Sequence, residues 1–595
     1  MVMDRIEFFA LIAYAAYLFG TGAVIVMLAG VRRNFFVLSY GISISLLVIT
    51  QLLARSLGSS IASWWALLHI LLLVSAGFSL VIRYFGGWKR VTPGRNFDIP
   101  KVVGWTSVIV PFAVYHWVVG PYTEVPSDFW SHLGVVKEQL SIIERGSFGG
   151  LSDNWIDVIR HGTAVPFFHG VIADNLGVLP IMLVRSATLV SSVIILTTIY
   201  WFTLRIIRDL VLSEWMAVGA ACVAAVLFVV GFGVSSFSYI RYYAYFPHLL
   251  NLSLVFIIVG LYVDYLGHRE TNKSILAVIG MFLATVVLIN EQEFLFAVVL
   301  LLSVSIWRFT RAFVSKEAWH KVLLVRSRVM GLLAIAVSLV GLGAGFLLFE
   351  SGDWGRPHII DLGRVNEIFR GLPIANPSLR FWDTLGLHGV VIYCWYLFYW
   401  AKFARADYIN VAMFSPLITL LNPIFVLWFL HVGSWDSLWR LAYLMPVPIA
   451  GGILVGLTVQ DIVKWKGHSK SLPGGLFLVA AVVTLMPFET ALISNDNSRF
   501  PSLARLEQSN GALLWGDLIE AVEVIEGERI LITDNITNYV LSSATKHGGK
   551  GEPKERWQQR RGLFGGDYKK RLLYYGVDDS LLIINQRDGS LSETG

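Results

Sequence analysis

The chain has 595 residues, 55% of them hydrophobic and only 15% charged, with a formal net charge of +6. Its mean hydropathy of +0.64 excludes a soluble globular protein, whose surface needs far more polar residues. The basic residues are scattered among short loops, which argues against a nucleic-acid partner, and two cysteines inside apolar runs, Cys222 and Cys394, offer no disulfide framework or zinc motif.

Apolar runs of about 20 residues, the length that crosses ~30 Å of hydrocarbon, recur along the chain. In order they predict about fourteen spanning helices, at 6–30, 36–54, 61–84, 102–120, 180–204, 211–234, 249–266, 274–290, 292–308, 329–349, 386–402, 409–430, 439–460 and 473–493. The first run is too long for a cleaved signal peptide and lacks its basic flank. Trp and Tyr gather at run ends, as an interfacial belt requires. Lys and Arg gather in alternate loops, for example Arg32 and Arg33, Lys89 and Arg90, Arg205 and Arg208, Arg308 and Arg311, Lys402 and Arg405. The positive-inside rule makes those loops cytoplasmic and puts the N-terminus outside. The outer side then carries the long loops 121–179, 235–248, 350–385 and 431–438, and a tail from 495.

The expected fold is an all-α polytopic membrane bundle with a small α/β C-terminal extracytoplasmic domain. Three blocks follow: helices and a cytoplasmic loop over 1–101, a transmembrane core over 102–494, and the tail domain over 495–595. In the tail, 519–525 and 537–544 read as helices, and 528–534, 571–575 and 580–584 as strands.

Four polar constellations lie on the outer side. The first opens loop 121–179. Asp128 and His132, four residues apart, share one helix face beside Phe129 and Trp130. Asp128 could be a general base or bind a divalent cation; alternatively it, or Ser127, only caps the helix. The same loop adds Asp153, Asp157, Arg160, His161 and His169, of which the two histidines taken singly read as structural.

The second constellation is Asn290-Glu291-Gln292-Glu293, between two apolar runs with almost no loop. Glu291 and Glu293 are either solvated turn residues or face a polar cavity and hold an acceptor hydroxyl or a metal. The third is 434–446, where Arg440 opens a span from the outer side; its guanidinium suits a phosphate, or merely snorkels to the interface. The fourth is 238–248, with Arg241, Tyr243 and His248 among aromatics that could stack sugars or anchor the belt. In 350–385, Asp353, Trp354, Arg356, His358 and Asp361 could line an acceptor groove. No phosphate-cradling glycine loop, HExxH or nucleophile elbow occurs. The outer face contains no ATP, so chemistry there needs a substrate already activated.

Asp128-Phe129-Trp130-Ser131-His132-Leu133, followed by Ile143-Glu144-Arg145-Gly146, resembles an early outer-loop pattern of the GT-C superfamily of polytopic glycosyltransferases. The stretch from Pro166 to Ala173 is similar to that family's half-buried outer helix. The stretch from Trp439 to Pro446 resembles its Arg-bearing late helix. The stretch from Leu531 to Tyr539 resembles an element of its outer tail domains. The resemblance covers roughly 102–545. Two departures are the three helices that precede this region and the lack of a second acid beside Asp128.

The resemblance implies an inverting transfer of one sugar, arabinofuranose or mannose, from a polyprenyl-phosphate donor. The acceptor would be a glycan, a lipid-linked saccharide or a surface protein outside a bacterial inner membrane. Asp128 would take the acceptor proton. Arg440, with Arg241 or His132, would stabilise the leaving phosphate. Glu291, Glu293, Asp157 and His169 would orient the acceptor or hold a divalent cation, and Trp130, Tyr243 and Trp354 would stack on sugar. An O-antigen-type polymerase or ligase is the nearest alternative, but those usually use Arg and His in one late loop. A flippase or transporter is the other. It tends to carry repeats and midplane charges, and here only Arg185 reads as a midplane charge.

Overall fold

The computed structural model describes residues 5–29, 31, 34–56, 60–85, 98–119, 129–146, 163–207, 210, 213–232, 240, 245, 247–266, 274–314, 365–369, 372–375, 382–403, 406–432, 438–463 and 471–485, with short pieces between 530 and 594. Helices dominate. They are α1 (Arg5–Leu28), α2 (Phe35–Ser56), α3 (Ile61–Phe85), α4 (Ile99–Val119), α5 (Phe129–Glu144), α6 (Ala164–Leu176), α7 (Val184–Ile207), α8 (Glu214–Gly231), α9 (Pro247–Leu266), α10 (Ser274–Ile289) and α11 (Glu291–Val314). After a hairpin of β1 (Val365–Phe369) and β2 (Leu372–Ala375) come α12 (Trp382–Tyr399), α13 (Asp407–Met413), α14 (Pro423–Val432), α15 (Val447–Val463) and α16 (Ser471–Leu485). Eight helical stretches among the described residues are long and apolar enough to cross a membrane. The chain is a multi-pass helical membrane bundle.

Length and apolarity set these helices, and small residues set how closely they pack. One close seam joins α8 to α15. Gly452 and Gly456 of α15, one helical turn apart, face Ala220 and Ala224 of α8. A Cβ on Gly452 would lie 2.7 Å from the Ala224 Cβ and 2.8 Å from its backbone nitrogen, and it would also collide with the carbonyl of Ala220. In lipid, where no hydrophobic force drives helices together, such small-residue seams let backbones touch.

The N-terminal helices are part of the bundle rather than an appendage. Tyr40 Oη donates to the Leu250 carbonyl at 2.7 Å, Thr285 Oγ1 to Ser45 Oγ at 2.7 Å, and Ser186 Oγ to the Glu7 carbonyl at 2.9 Å. By contrast α3 exposes Ile70, Leu73 and Val74, as a lipid-facing helix does.

Ion pairs tie the helix ends. Arg205 meets Asp264; Arg308 and Arg311 reach Asp407 at 3.0 and 2.6 Å; Lys402 reaches Asp461 at 2.6 Å; Lys101 reaches Glu214 at 2.9 Å. Each pair joins ends that the Lys/Arg alternation assigns to one side. Glu7 and Arg185, 3.3 Å apart, and His248 and Glu293, 2.7 Å apart, join ends assigned to the other. Arg185 is therefore no midplane charge: it stands at the start of α7, beside the start of α1 and the Trp117 ring.

The span expected at 409–430 is not one helix. It breaks into α13, a single turn at Ser415–Ile418, and α14. Pro416 and Pro423 stand at the starts of the second and third pieces, where each lacks the N–H that would continue the preceding helix. The span expected at 439–460 likewise begins as a 3₁₀ turn, Trp439–Leu444, ahead of Pro446. The expected span at 329–349 lies outside the described residues.

In the tail, β3 (Ile530–Ile532), β4 (Gly548–Gly549), β5 (Leu572–Tyr575), β6 (Leu581–Ile584) and β7 (Leu591–Thr594) pair in the order β4-β3-β5-β6-β7. Only β3 with β4 is parallel. The tail helices expected at 519–525 and over most of 537–544 lie outside the described residues.

Candidate functional site

Asn290 alone separates α10 from α11. Its backbone N–H continues α10 by donating to the Val286 carbonyl at 2.9 Å, and its side-chain Oδ1 accepts from the Gln292 N–H at 2.8 Å. That second bond caps α11, which is why so abrupt a joint is stable. Glu291 follows as the first residue of α11, where the helix dipole favours an acid.

Glu293 comes two residues later and is only 1% exposed, so it is not a solvated turn residue. A buried carboxylate is costly unless paired. Here the partners come from α9. His248 Nδ1 lies 2.7 Å from Glu293 Oε1, and Asn251 Nδ2 lies 3.5 Å from Oε2. Asn251 also donates to the carbonyls of Val286 at 3.1 Å and Asn290 at 3.2 Å, which stitches α9 to the joint. His248 and Asn251, three residues apart near the start of α9, share one helix face.

Arg440 reaches the same joint from the 3₁₀ turn before α15. Its Nη1 donates to Gln292 Oε1 at 2.9 Å, and its guanidinium lies 5.7 Å from the centroid of the Trp439 ring. Three constellations that are far apart in the chain thus meet at one end of the bundle: His248, Gln292 with Glu293, and Arg440.

The first constellation lies next to them. Phe129, the first residue of α5, packs its ring 5.3 Å from Tyr245, and Tyr245 stacks on His169 at 4.9 Å and 9°. His169 belongs to α6, the buried outer helix, and its Nδ1 lies 2.6 Å from Tyr14 Oη of α1. Burial pushes the His169 imidazole down to about 3, against the Tyr245 backbone carbonyl, which favours the protonated ring and opposes the shift, and burial pushes the Tyr245 phenol up. His169 is therefore neutral, and it shares a hydrogen bond with Tyr14. For His169 the family resemblance implies an acceptor or cation site shared with Glu293. Instead its described partners are aromatic, and no three His, Cys, Asp or Glu residues cluster among the described residues.

The histidine carries a pH prediction. An unfolded histidine protonates below about 6.5, whereas this one resists protonation down to about 3. Between those values the unfolded state binds more protons, so stability falls as pH falls. Thermal unfolding in detergent is expected to weaken from pH 6.5 towards pH 4, and His169→Phe should flatten that slope. An unchanged slope would show that another group sets it.

His132 sits half-buried on α5, and Trp130 lies on the same helix. Arg55 of α2 holds this helix in place: it bonds Gln139 of α5, and its guanidinium lies 5.5 Å from the Phe167 ring of α6. Asp128, Asp157, Arg241, Tyr243 and Trp354 lie outside the described residues. Gln292, Asn251 and Tyr14 carry no pattern in the sequence that marks them for a site. Only the placement of Asn251 one turn after His248 gave a signal, and it is a weak one.

Fold and cluster together define a class: a multi-pass α-helical membrane protein with a buried polar junction at one end. No protein-family model and no curated protein matches the chain.

Proposed function

We propose that the chain is an inverting glycosyltransferase of the GT-C type that moves one sugar from a polyprenyl-phosphate donor to an acceptor outside a bacterial inner membrane. One observation carries the reading. Arg440, suited to a phosphate, bonds Gln292, next in sequence to the paired Glu293 and His248, at the bundle end that the Lys/Arg alternation makes extracytoplasmic. On this reading about fourteen spans surround the site, and the tail strands belong to an α/β domain on the same outer side.

In the proposed reaction the acceptor oxygen attacks the anomeric carbon from the face opposite the phosphate. The bond from that carbon to the phosphate oxygen breaks, and polyprenyl phosphate leaves with the electron pair. Asp128 takes the acceptor proton. Arg440, with Arg241 and His132, stabilises the charge on the leaving phosphate. Trp130, Tyr243 and Trp354 stack on sugar. Glu291 and Asp157 are left to orient the acceptor or bind a divalent cation, since Glu293 and His169 have partners of their own.

Purified protein is incubated with polyprenyl-phosphate pentoses and hexoses, and transfer is followed by mass. Arg440→Ala is expected to raise the donor KM about tenfold to a hundredfold, the range for losing a charged hydrogen bond. An unaltered donor affinity would remove Arg440 from the phosphate site and with it the main support for this function.

A further inference from the structure

Helix α5 carries His132 and follows directly on Asp128 in the chain. It buries a stripe of Phe129, Leu133, Val136 and Ile143. Apolar burial has no direction, so it fixes the rotation and slide of a helix less strictly than hydrogen bonds do.

Directional contacts reach α5 from the three opening helices, at three points. At its start, Phe129 packs on Tyr245, Tyr245 stacks on His169, and His169 Nδ1 lies 2.6 Å from Tyr14 Oη of α1. In its middle, the buried Gln139 accepts from Arg55 of α2. Past its end, the Gly146 carbonyl accepts from the Ile61 N–H at 3.1 Å. Ile61 is the first residue of α3, where a backbone N–H finds no partner within its own helix. The layer between is α6. Its Phe167 ring meets Trp64 of α3 at 5.1 Å, and its Phe168 ring meets Tyr14 at 5.6 Å. Gly170 of α6 admits α5 so closely that a Cβ there would sit 3.2 Å from the Leu140 nitrogen.

We propose that α1, α2 and α3 form a positioning frame for α5, in which Tyr14, Arg55 and the Ile61 amide fix that helix at three points and so place the groups it carries and follows. Tyr14 and Arg55 act through α5 and not on the substrate. The inference rests on the reading of Asp128 and His132 as part of the transfer site, and it gives the three opening helices a part in the reaction.

The test uses the full-length protein in detergent. Tyr14→Phe keeps the ring and removes the hydroxyl, and Arg55→Met keeps the stem and removes the guanidinium. Tyr262→Phe is the control, because its buried hydroxyl, 2.6 Å from Ser305, joins α9 to α11 instead. Amide hydrogen exchange over 129–146 is expected to quicken about tenfold in the first two variants and to stay as in the wild type in the third. Transfer from a polyprenyl-phosphate sugar should lose about tenfold in kcat in the first two, with donor KM changed less than about twofold, because a misplaced reacting group slows the step while the phosphate contact remains. Tyr14→Phe decides alone if Arg55→Met gives no folded protein. Faster exchange with an unchanged kcat would make the three contacts merely structural and overturn the proposal, as would unchanged exchange. If Asp128→Asn and His132→Ala both transfer like the wild type, the reading of this helix as part of the site fails and takes the inference with it.

Discussion

Asp128→Asn will keep donor binding and lose transfer by about a hundredfold or more, the usual worth of a general base. Asparagine has nearly the same shape as aspartate but cannot accept the acceptor's proton. The attacking hydroxyl would then meet the anomeric carbon still protonated. Binding should survive, because the substitution leaves Arg440, the residue assigned to the phosphate and bonded to Gln292 at 2.9 Å, in place. The measurement is transfer at saturating donor together with polyprenyl-phosphate binding by the same preparation. Equal transfer by wild type and variant would remove Asp128 from the chemistry, whatever the fate of Arg440.

Gly452→Leu will leave little folded protein. The Cβ alone would sit 2.7 Å from the Ala224 Cβ and 2.8 Å from the Ala224 nitrogen, and the latter is backbone that cannot swing aside. Overpacking a core costs about 1–3 kcal/mol when side chains can adjust, and more when a helix must move. Here α8 and α15 would have to separate, and α15 carries the turn that holds Arg440. Gly452→Ala should already lower the unfolding midpoint. Gly219→Ala is the control, because a Cβ there meets nothing within 4 Å, although the residue lies on α8, the helix that Gly452 packs against. Equal yield and equal size-exclusion profiles for Gly452→Leu and wild type would mean that this seam is looser than described.

The sequence reveals the bundle far better than the junction inside it. Long apolar runs reveal helices because little else can cross hydrocarbon. The Lys/Arg alternation sorts helix ends correctly enough that Arg205 pairs with Asp264 and Arg308 with Asp407, each within one assigned side. It fails at 409–430, where hydropathy stays high through Pro416 and Pro423 although the backbone breaks there. Apolarity measures what a segment tolerates around it, not whether its hydrogen bonds run unbroken.

The site was only partly readable. Arg440 and Glu293 drew attention because charges are conspicuous in an apolar chain. Gln292 and Asn251 did not, since a neutral amide carries no such signal. Nor could a sequence say that Glu293 would be spent on His248, because that depends on how α9 packs against the joint at Asn290. In a bundle that is apolar on nearly every helix face, periodicity does not reveal which face meets which neighbour.

The bond between Tyr14 and His169 links residues 155 positions apart. A ribosome adding roughly 5–20 residues per second delivers the first of these on the order of ten seconds before the second. Until then the phenol has no imidazole to bond, and an unsatisfied hydroxyl is poorly tolerated in lipid. The opening helix must therefore wait beside the translocon or an insertase instead of drifting off into the bilayer. Slowing synthesis between these two positions should leave half-made chains that quality-control proteases recognise.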